Sequence, residues 1–358
     1  MESALPGAPT SQTMYLHACI ASTRPLALLG GSRMRRSAIA ITARAAALIC
    51  VALFVVGAAG AQTPAGRVVF RGNRGESYEI YSMYANGTDL RNLTNLNWAY
   101  DEMPDVSPDG ARVVFSSTRD SNAEIYVMNA DGSDQRRLTE NPAIDWRPKW
   151  SPDGSQILFF RGGGGRGELW ILDVNAMGER RLTESGAAGD WSPDGAFVVL
   201  PDPDQVTSDL MTIGADGANR ASLGIKGFDS RVESPAWSPD GSQIAFEAYK
   251  AGQWDVFTVG SDGGSLENVT EDLTEAGAPA WTPDGARIVL SAYVADTQNL
   301  FTMAPDGSDV RRLTDHPGHD SYPSWFGSSD LTRSVSAGGK SPFTWAWLKG
   351  VGARAGMR

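Results

Sequence analysis

The chain has 358 residues, with 31 Lys and Arg against 42 Asp and Glu, a formal net charge of −11. An acidic balance of this size argues against nucleic acid as a partner. The two cysteines, Cys19 and Cys50, both lie near the N-terminus, so no disulfide framework is expected in the body of the protein.

The first 61 residues read as a leader. Met34-Arg35-Arg36 opens a basic stretch, Ala45 to Ala59 is apolar, and Ala59-Gly60-Ala61 offers a small-residue cleavage site before Gln62. That is the layout of a secretory signal over residues 34–61. Residues 1–33 fit no part of it and are expected to be an over-extended start. An uncleaved anchor is the alternative, although the apolar run is shorter than the roughly 20 residues a span needs. Leu48-Ile49-Cys50 resembles an acylation site only loosely, with a bulky Ile before the Cys. A periplasmic or secreted location is expected.

Next comes a strand, Arg67-Val68-Val69-Phe70, followed by Glu79-Ile80-Tyr81-Ser82-Met83 and Arg91-Asn92-Leu93-Thr94. A near-identical phrase then recurs. Ser-Pro-Asp-Gly begins at Ser107, Ser151, Ser192 and Ser238, and Thr-Pro-Asp-Gly at Thr282, with starts 44, 41, 46 and 44 residues apart. Strand-rich repeats of roughly 40 to 45 residues are the mark of propeller blades. Pro presets φ, Asp hydrogen-bonds local backbone and Gly accepts positive φ, so each phrase is a turn.

The unit from Arg147 to Thr183 shows the order. Pro148-Lys149-Trp150 is a short first strand, then the turn, then Ile157-Leu158-Phe159-Phe160, then Leu169-Trp170-Ile171-Leu172, then a short outer strand, Arg180-Arg181-Leu182-Thr183. Asp131-Gly132, Asp216-Gly217, Asp262-Gly263 and Asp306-Gly307 mark tight hairpins before the outer strands. The fourth unit is the weakest, with Gly189-Asp190 ahead of Trp191 and only Ala221-Ser222-Leu223 as outer strand. At the far end Tyr322-Pro323-Ser324-Trp325-Phe326 is a first strand with no blade behind it. One strand here and three at residues 67–94 complete a sixth blade. The expected fold is therefore all-β, a six-bladed propeller over residues 62–330, closed through 321–327. Closure removes the open sheet edge.

The tail, residues 331–358, is different. It holds Arg333, Lys340, Lys349, Arg354 and Arg358, no acid, and Phe343-Thr344-Trp345-Ala346-Trp347-Leu348. Residues 62–330, by contrast, carry 21 Lys and Arg against 41 Asp and Glu. The tail could pack on the ring, touch a membrane or be disordered. Membrane contact is expected only through leader or tail, and the ring is expected to be monomeric.

With blades spelled W-S-P-D-G, then an apolar strand, then I-Y-V-M-N-A-D-G, then R-R-L-T, the chain resembles the TolB propeller family over roughly residues 67–327. The family implies a further α/β domain ahead of the propeller, which the sequence does not show between the leader and Arg67. It also implies a peptidoglycan-associated lipoprotein as partner. Related propellers precede the hydrolase domain of prolyl oligopeptidases, but no G-x-S-x-G elbow occurs here. Others hold a metal through several histidines. Beyond the leader only His316 and His319 remain, too few for that site, and no cofactor is expected.

A partner would bind where the repeats vary, on the face of the inter-blade loops. Asp101, Asp145 and Asp320 each stand three residues before a strand-opening Pro, in company with Trp98, Tyr100, Trp146, Arg147 and Tyr322. The blades involved become neighbours when the ring closes. Arg71, Arg74, Arg119, Arg161 and Arg166 lie on nearby loops. Tyr, Trp and Arg dominate interface hot spots. The structural alternative is that the acids cap backbone and the aromatics cover blade junctions. Two function classes follow: a non-catalytic protein-interaction module of the periplasm or envelope, and a carbohydrate-active or hydrolytic enzyme with Asp101 and Asp145 as an acid/base pair.

Overall fold

The computed structural model describes residues 66–163, 166–202 and 208–326. The leader, both cysteines and the basic tail lie outside the described residues. Within them the chain forms six four-stranded antiparallel sheets and no helix, a six-bladed propeller. Blade 1 begins with β1 (Arg67–Asn73), β2 (Tyr78–Tyr84) and β3 (Arg91–Asn92). Blade 2 is β4 (Asp101–Val106), β5 (Arg112–Asp120), β6 (Asn122–Asn129) and β7 (Arg136–Arg137). Blade 3 is β8 (Ile144–Trp150), β9 (Gln156–Gly163), β10 (Arg166–Asp173) and β11 (Glu179–Arg181). Blade 4 is β12 (Asp190–Trp191), β13 (Phe197–Pro201), β14 (Leu210–Gly214) and β15 (Ala221–Ser222). Blade 5 is β16 (Val232–Trp237), β17 (Gln243–Lys250), β18 (Gln253–Gly260) and β19 (Glu267–Asn268). Blade 6 is β20 (Thr274–Trp281), β21 (Ile288–Val294), β22 (Thr297–Met303) and β23 (Arg311–Arg312). The last strand, β24 (Asp320–Phe326), returns to pair with β1 and is the innermost strand of blade 1.

The repeated phrase is a self-contained hydrogen-bond set. The Ser151 hydroxyl donates to Asp153 Oδ1 (2.7 Å) and accepts from the Gln156 N–H (2.9 Å), while Asp153 Oδ1 accepts from the Ser155 N–H (3.0 Å). The Gly154 N–H donates to the Ser151 carbonyl from a backbone with φ of 70°, a region glycine enters without strain. Ser107, Ser192, Ser238 and Thr282 repeat this set. Thr serves as well as Ser because the bonds need only a hydroxyl.

The final Thr of R-R-L-T has a role of its own. Thr139 Oγ1 donates to Glu124 Oε2 (2.7 Å) and accepts from the Ile125 N–H (2.9 Å), tying the two-residue outer strand to β6. Thr183, Thr270 and Thr314 accept from the matching N–H of their blades. These short outer strands would otherwise have few bonds of their own.

The core lies between blades. Phe70, Phe115, Phe159 and Phe246 occupy the same place in the second strands of blades 1, 2, 3 and 5 and are fully buried. Each seam joins two blades: Val69 and Ile80 pack with Val113 and Phe115, and Val68 and Phe70 with Val289 and Leu300. The second seam can form only if the ring closes.

The innermost strands depart from expectation. They start well before the proline, at Asp101, Ile144 and Asp320, where loops were expected. The residue before each proline takes a left-handed backbone: Met103, Arg147, Ser234, Ala278 and Tyr322 have φ between 48° and 57°. The register shifts there, as between Glu102 and Asp105 and between Trp146 and Lys149. A bulge lets a proline sit mid-strand, because its missing N–H falls where the ladder is already interrupted.

Candidate functional site

The prolines of these bulges line the ring centre. Pro104, Pro148, Pro235, Pro279 and Pro323, with Gly189 for blade 4, surround a cavity of about 60 Å³. Ligand pockets of drug-sized molecules are on the order of 300–1,000 Å³, so the centre itself takes no such ligand. Lys149, which lines it, belongs to a charge cluster behind its wall. Lys149 Nζ donates to Asp105 Oδ1 (3.0 Å), and Asp105 Oδ2 accepts from the Trp150 N–H (2.9 Å). Burial works against the Lys149 ammonium, but Asp105 and Asp190 overcome it and hold its pKa above the usual lysine value. Burial pushes Asp190 up to about 6, against the pull of Lys149 and the Trp237 N–H. Above them Arg147 reaches across blade 4 to Ser234 Oγ (3.3 Å) and Glu233 Oε2 (3.4 Å) of blade 5. A larger hollow, about 810 Å³, lies elsewhere, on the outer side of blade 4 against Met211 and Phe228. Two of its lining residues, Asp202 and Ser208, flank residues 203–207, which are outside the described residues.

The three expected contact acids are not at the surface. Asp101, Asp145 and Asp320 are fully buried, and each faces an arginine of its own blade. Arg119 Nη2 donates to both oxygens of Asp101 (3.0 and 3.1 Å), and Arg161 meets Asp145 through two 2.8 Å bonds. Arg74 forms the matching bidentate pair with Asp320. Gly72 makes room for that pair, since a Cβ there would lie 2.9 Å from Asp320 Oδ1. Burial pushes the Asp145 carboxyl up and the Arg161 guanidinium pulls it back. For Arg161, burial alone would favour loss of charge, and Asp145 with Glu179 reverses that. These acids close the tops of the innermost strands and cannot touch a partner. The signal that could have shown this is the arginine 16 or 18 residues downstream of Asp145 and Asp101.

The aromatics divide. Trp146 lies in β8, not on a loop, and is half-buried, with its indole N–H buried and unpartnered among the described residues. Tyr322 is half-buried in β24; burial pushes its phenol up, with Arg147 and Arg71 opposing. Trp98 and Tyr100 stand out, 65% and 53% exposed. Tyr100 heads a run of ring contacts that sequence reasoning missed. Tyr100 lies 6.0 Å from Tyr78, and Arg71 is sandwiched between the Tyr78 and Tyr322 rings, 4.3 and 4.8 Å from their centroids. Arg71 also donates to Glu102 Oε1 (2.7 Å). The run of contacts thus extends from Tyr100 to Tyr322 at the ring mouth.

Hydrogen bonds join the loops beneath this surface. The Ser77 hydroxyl donates to the Leu96 carbonyl (2.9 Å), the Asn73 N–H to the His319 carbonyl (2.9 Å), and the Gln298 N–H to His319 Nδ1 (3.2 Å). His319 is therefore a half-buried bridge between blades 6 and 1. Among the described residues no three His, Cys, Asp or Glu gather as a metal site.

Residues 99–223 and 196–340 match the family model described as TolB beta propeller domain, and together cover more than half of the chain. No curated protein matches it. Among solved structures, TolB from Acinetobacter baumannii superposes with a TM-score of 0.66 at 20% identity, over 73% of this chain and 66% of that one. This chain thus spans just under two thirds of that protein. A putative TolB from Agrobacterium tumefaciens gives 0.56 at 23% identity, over 72% and 91%. Hydrazine synthase from Kuenenia stuttgartiensis gives 0.61 at 15% identity, over 74% and 47%. At such identities these likenesses speak for the fold alone.

Proposed function

This chain belongs to the TolB beta-propeller domain family, and from that premise we propose that it is a non-catalytic interaction module of the periplasm or cell envelope. Its partner is an envelope protein, a peptidoglycan-associated one being what the family resemblance suggests. The partner docks over blades 1 and 2 at the ring mouth. The observation that carries this reading is the exposed pair Trp98 and Tyr100, backed by the Tyr78–Arg71–Tyr322 stack. Large aromatic side chains on a fixed support bind with little loss of rotamer freedom. The envelope location rests on the leader-like sequence of residues 34–61. An acid/base pair of Asp101 and Asp145 finds no support, because each carboxylate is buried and engaged by its own arginine.

The test is capture from an envelope fraction with full-length protein. Trp98→Ala with Tyr100→Ala should lose about 2 kcal/mol or more of binding, more than about tenfold in Kd, at an unchanged melting temperature. Trp237→Ala, in the first strand of blade 5, should lower stability instead. Wild-type affinity in the Trp98/Tyr100 variant would place the partner elsewhere.

A further inference from the structure

The rim that carries Trp98 and Tyr100 has a charge pattern that narrows what can sit on it. Its arginines are engaged internally: Arg71 with Glu102, Arg74 with Asp320, Arg119 with Asp101. Two of its carboxylates are not. Glu76 stands exposed in the hairpin between β1 and β2, two residues before Tyr78, and Asp296 stands exposed in the turn between β21 and β22. Neither has an ion-pair or hydrogen-bond partner among the described residues. The two hairpins are joined through His319, and the first is joined to the Trp98 loop by Ser77. The result is one continuous strip across blades 6, 1 and 2, with open aromatic faces and free negative charge.

Resting on the docking reading above, we propose that this strip takes a Lys- or Arg-rich extended segment of a protein partner. Cationic side chains find the two things the strip offers together. Their aliphatic stems and charged heads lie over the Trp98 and Tyr100 rings, and their charges meet Glu76 and Asp296. An acidic segment would meet repulsion without any free arginine to receive it. A purely apolar segment would leave both carboxylates desolvated and unpaired.

The probe is a fluorescein-labelled peptide of alternating Arg and Gly, with a Glu–Gly peptide beside it, titrated with full-length protein and read by anisotropy. The Arg–Gly peptide should bind and the Glu–Gly peptide should not. Glu76→Gln with Asp296→Asn should weaken binding about fivefold, and Trp98→Ala with Tyr100→Ala about tenfold. Asp134→Asn with Glu267→Gln, on the opposite face, should change it less than about twofold. Equal loss from the opposite-face pair would mean attraction to the acidic body at large and would overturn the proposal. So would equal binding of the Glu–Gly peptide, or no binding of the Arg–Gly peptide. If envelope-partner capture fails for the Trp98/Tyr100 variant but survives Glu76→Gln with Asp296→Asn, the docking site stands and its cationic chemistry falls.

Discussion

At the scale of single residues, two devices recur and each makes a measurable claim. The Ser151 hydroxyl both donates and accepts in its turn. Ser151→Ala leaves the Gln156 N–H without its bond and should cost about 1–2 kcal/mol, read as a shift in the urea midpoint. Ser151→Thr should stay within about 0.5 kcal/mol, because Thr282 already performs this task. Equal loss in both variants would show that the turn depends on side-chain size and not on the hydroxyl. The second device is the buried ion pair. Asp145→Ala leaves the Arg161 guanidinium, only 8% exposed, with Glu179 as its one remaining carboxylate, and should cost about 3 kcal/mol. Asp145→Leu with Arg161→Met should cost less than that single change, since the one carboxylate left without its arginine, Glu179, is partly open to water. A single variant as stable as wild type would mean that the pair is not closed to water.

At the scale of elements, the ring depends on one strand. β24 pairs with β1 from Arg67↔Phe326 to Gly72↔Asp320, and Ser324 Oγ accepts from the Val106 N–H of blade 2 (3.2 Å). Truncation after Ser321 should therefore expose the edge of β1, lower the melting temperature and promote self-association. Truncation after Phe326 removes the tail alone and is the proper control. A monomer with unchanged melting temperature after the shorter truncation would defeat closure through this strand. Blade 4 is the thinnest, its inner strand only Asp190–Trp191, and Arg147 bridges above it to blade 5.

At the scale of the whole molecule, acids work in two opposite directions. Hydrogen bonds from Ser107, with the Ala111 N–H, hold Asp109 below the ordinary carboxylate range, and similar bonds do the same for Asp240 and Asp284. A depressed folded pKa gives stability that is present above the usual carboxylate range and lost as pH falls through it. Burial raises Asp190 to about 6, and it raises Glu247 as well. A raised folded pKa gives stability that is present at low pH and lost as pH rises through the folded value. The melting temperature should climb from acid pH, peak below about 6 and then decline. Asp190→Asn keeps an oxygen for the Trp237 N–H but cannot ionise, so its decline between pH 5 and 7.5 should be shallower. Curves parallel to wild type would show that Asp190 does not titrate in that range.

The sequence by itself determined the blade number, the turn positions and the closing strand. The reason is physical: Ser-Pro-Asp-Gly and the residues just after it satisfy one another's hydrogen bonds, so a few consecutive letters specify the local structure wherever they fall. Only the tertiary structure decided which acids are free. Asp101, Asp145 and Asp320 look in sequence like loop acids beside aromatics, and Glu76 and Asp296 look like ordinary turn residues. The proline bulge draws the first three into the innermost strands, where burial requires a partner and Arg119, Arg161 and Arg74 supply it from the neighbouring strand or its end. Which charge is buried and which meets a partner depends on cross-strand neighbours and ring closure, and these bring together residues as far apart as Arg74 and Asp320.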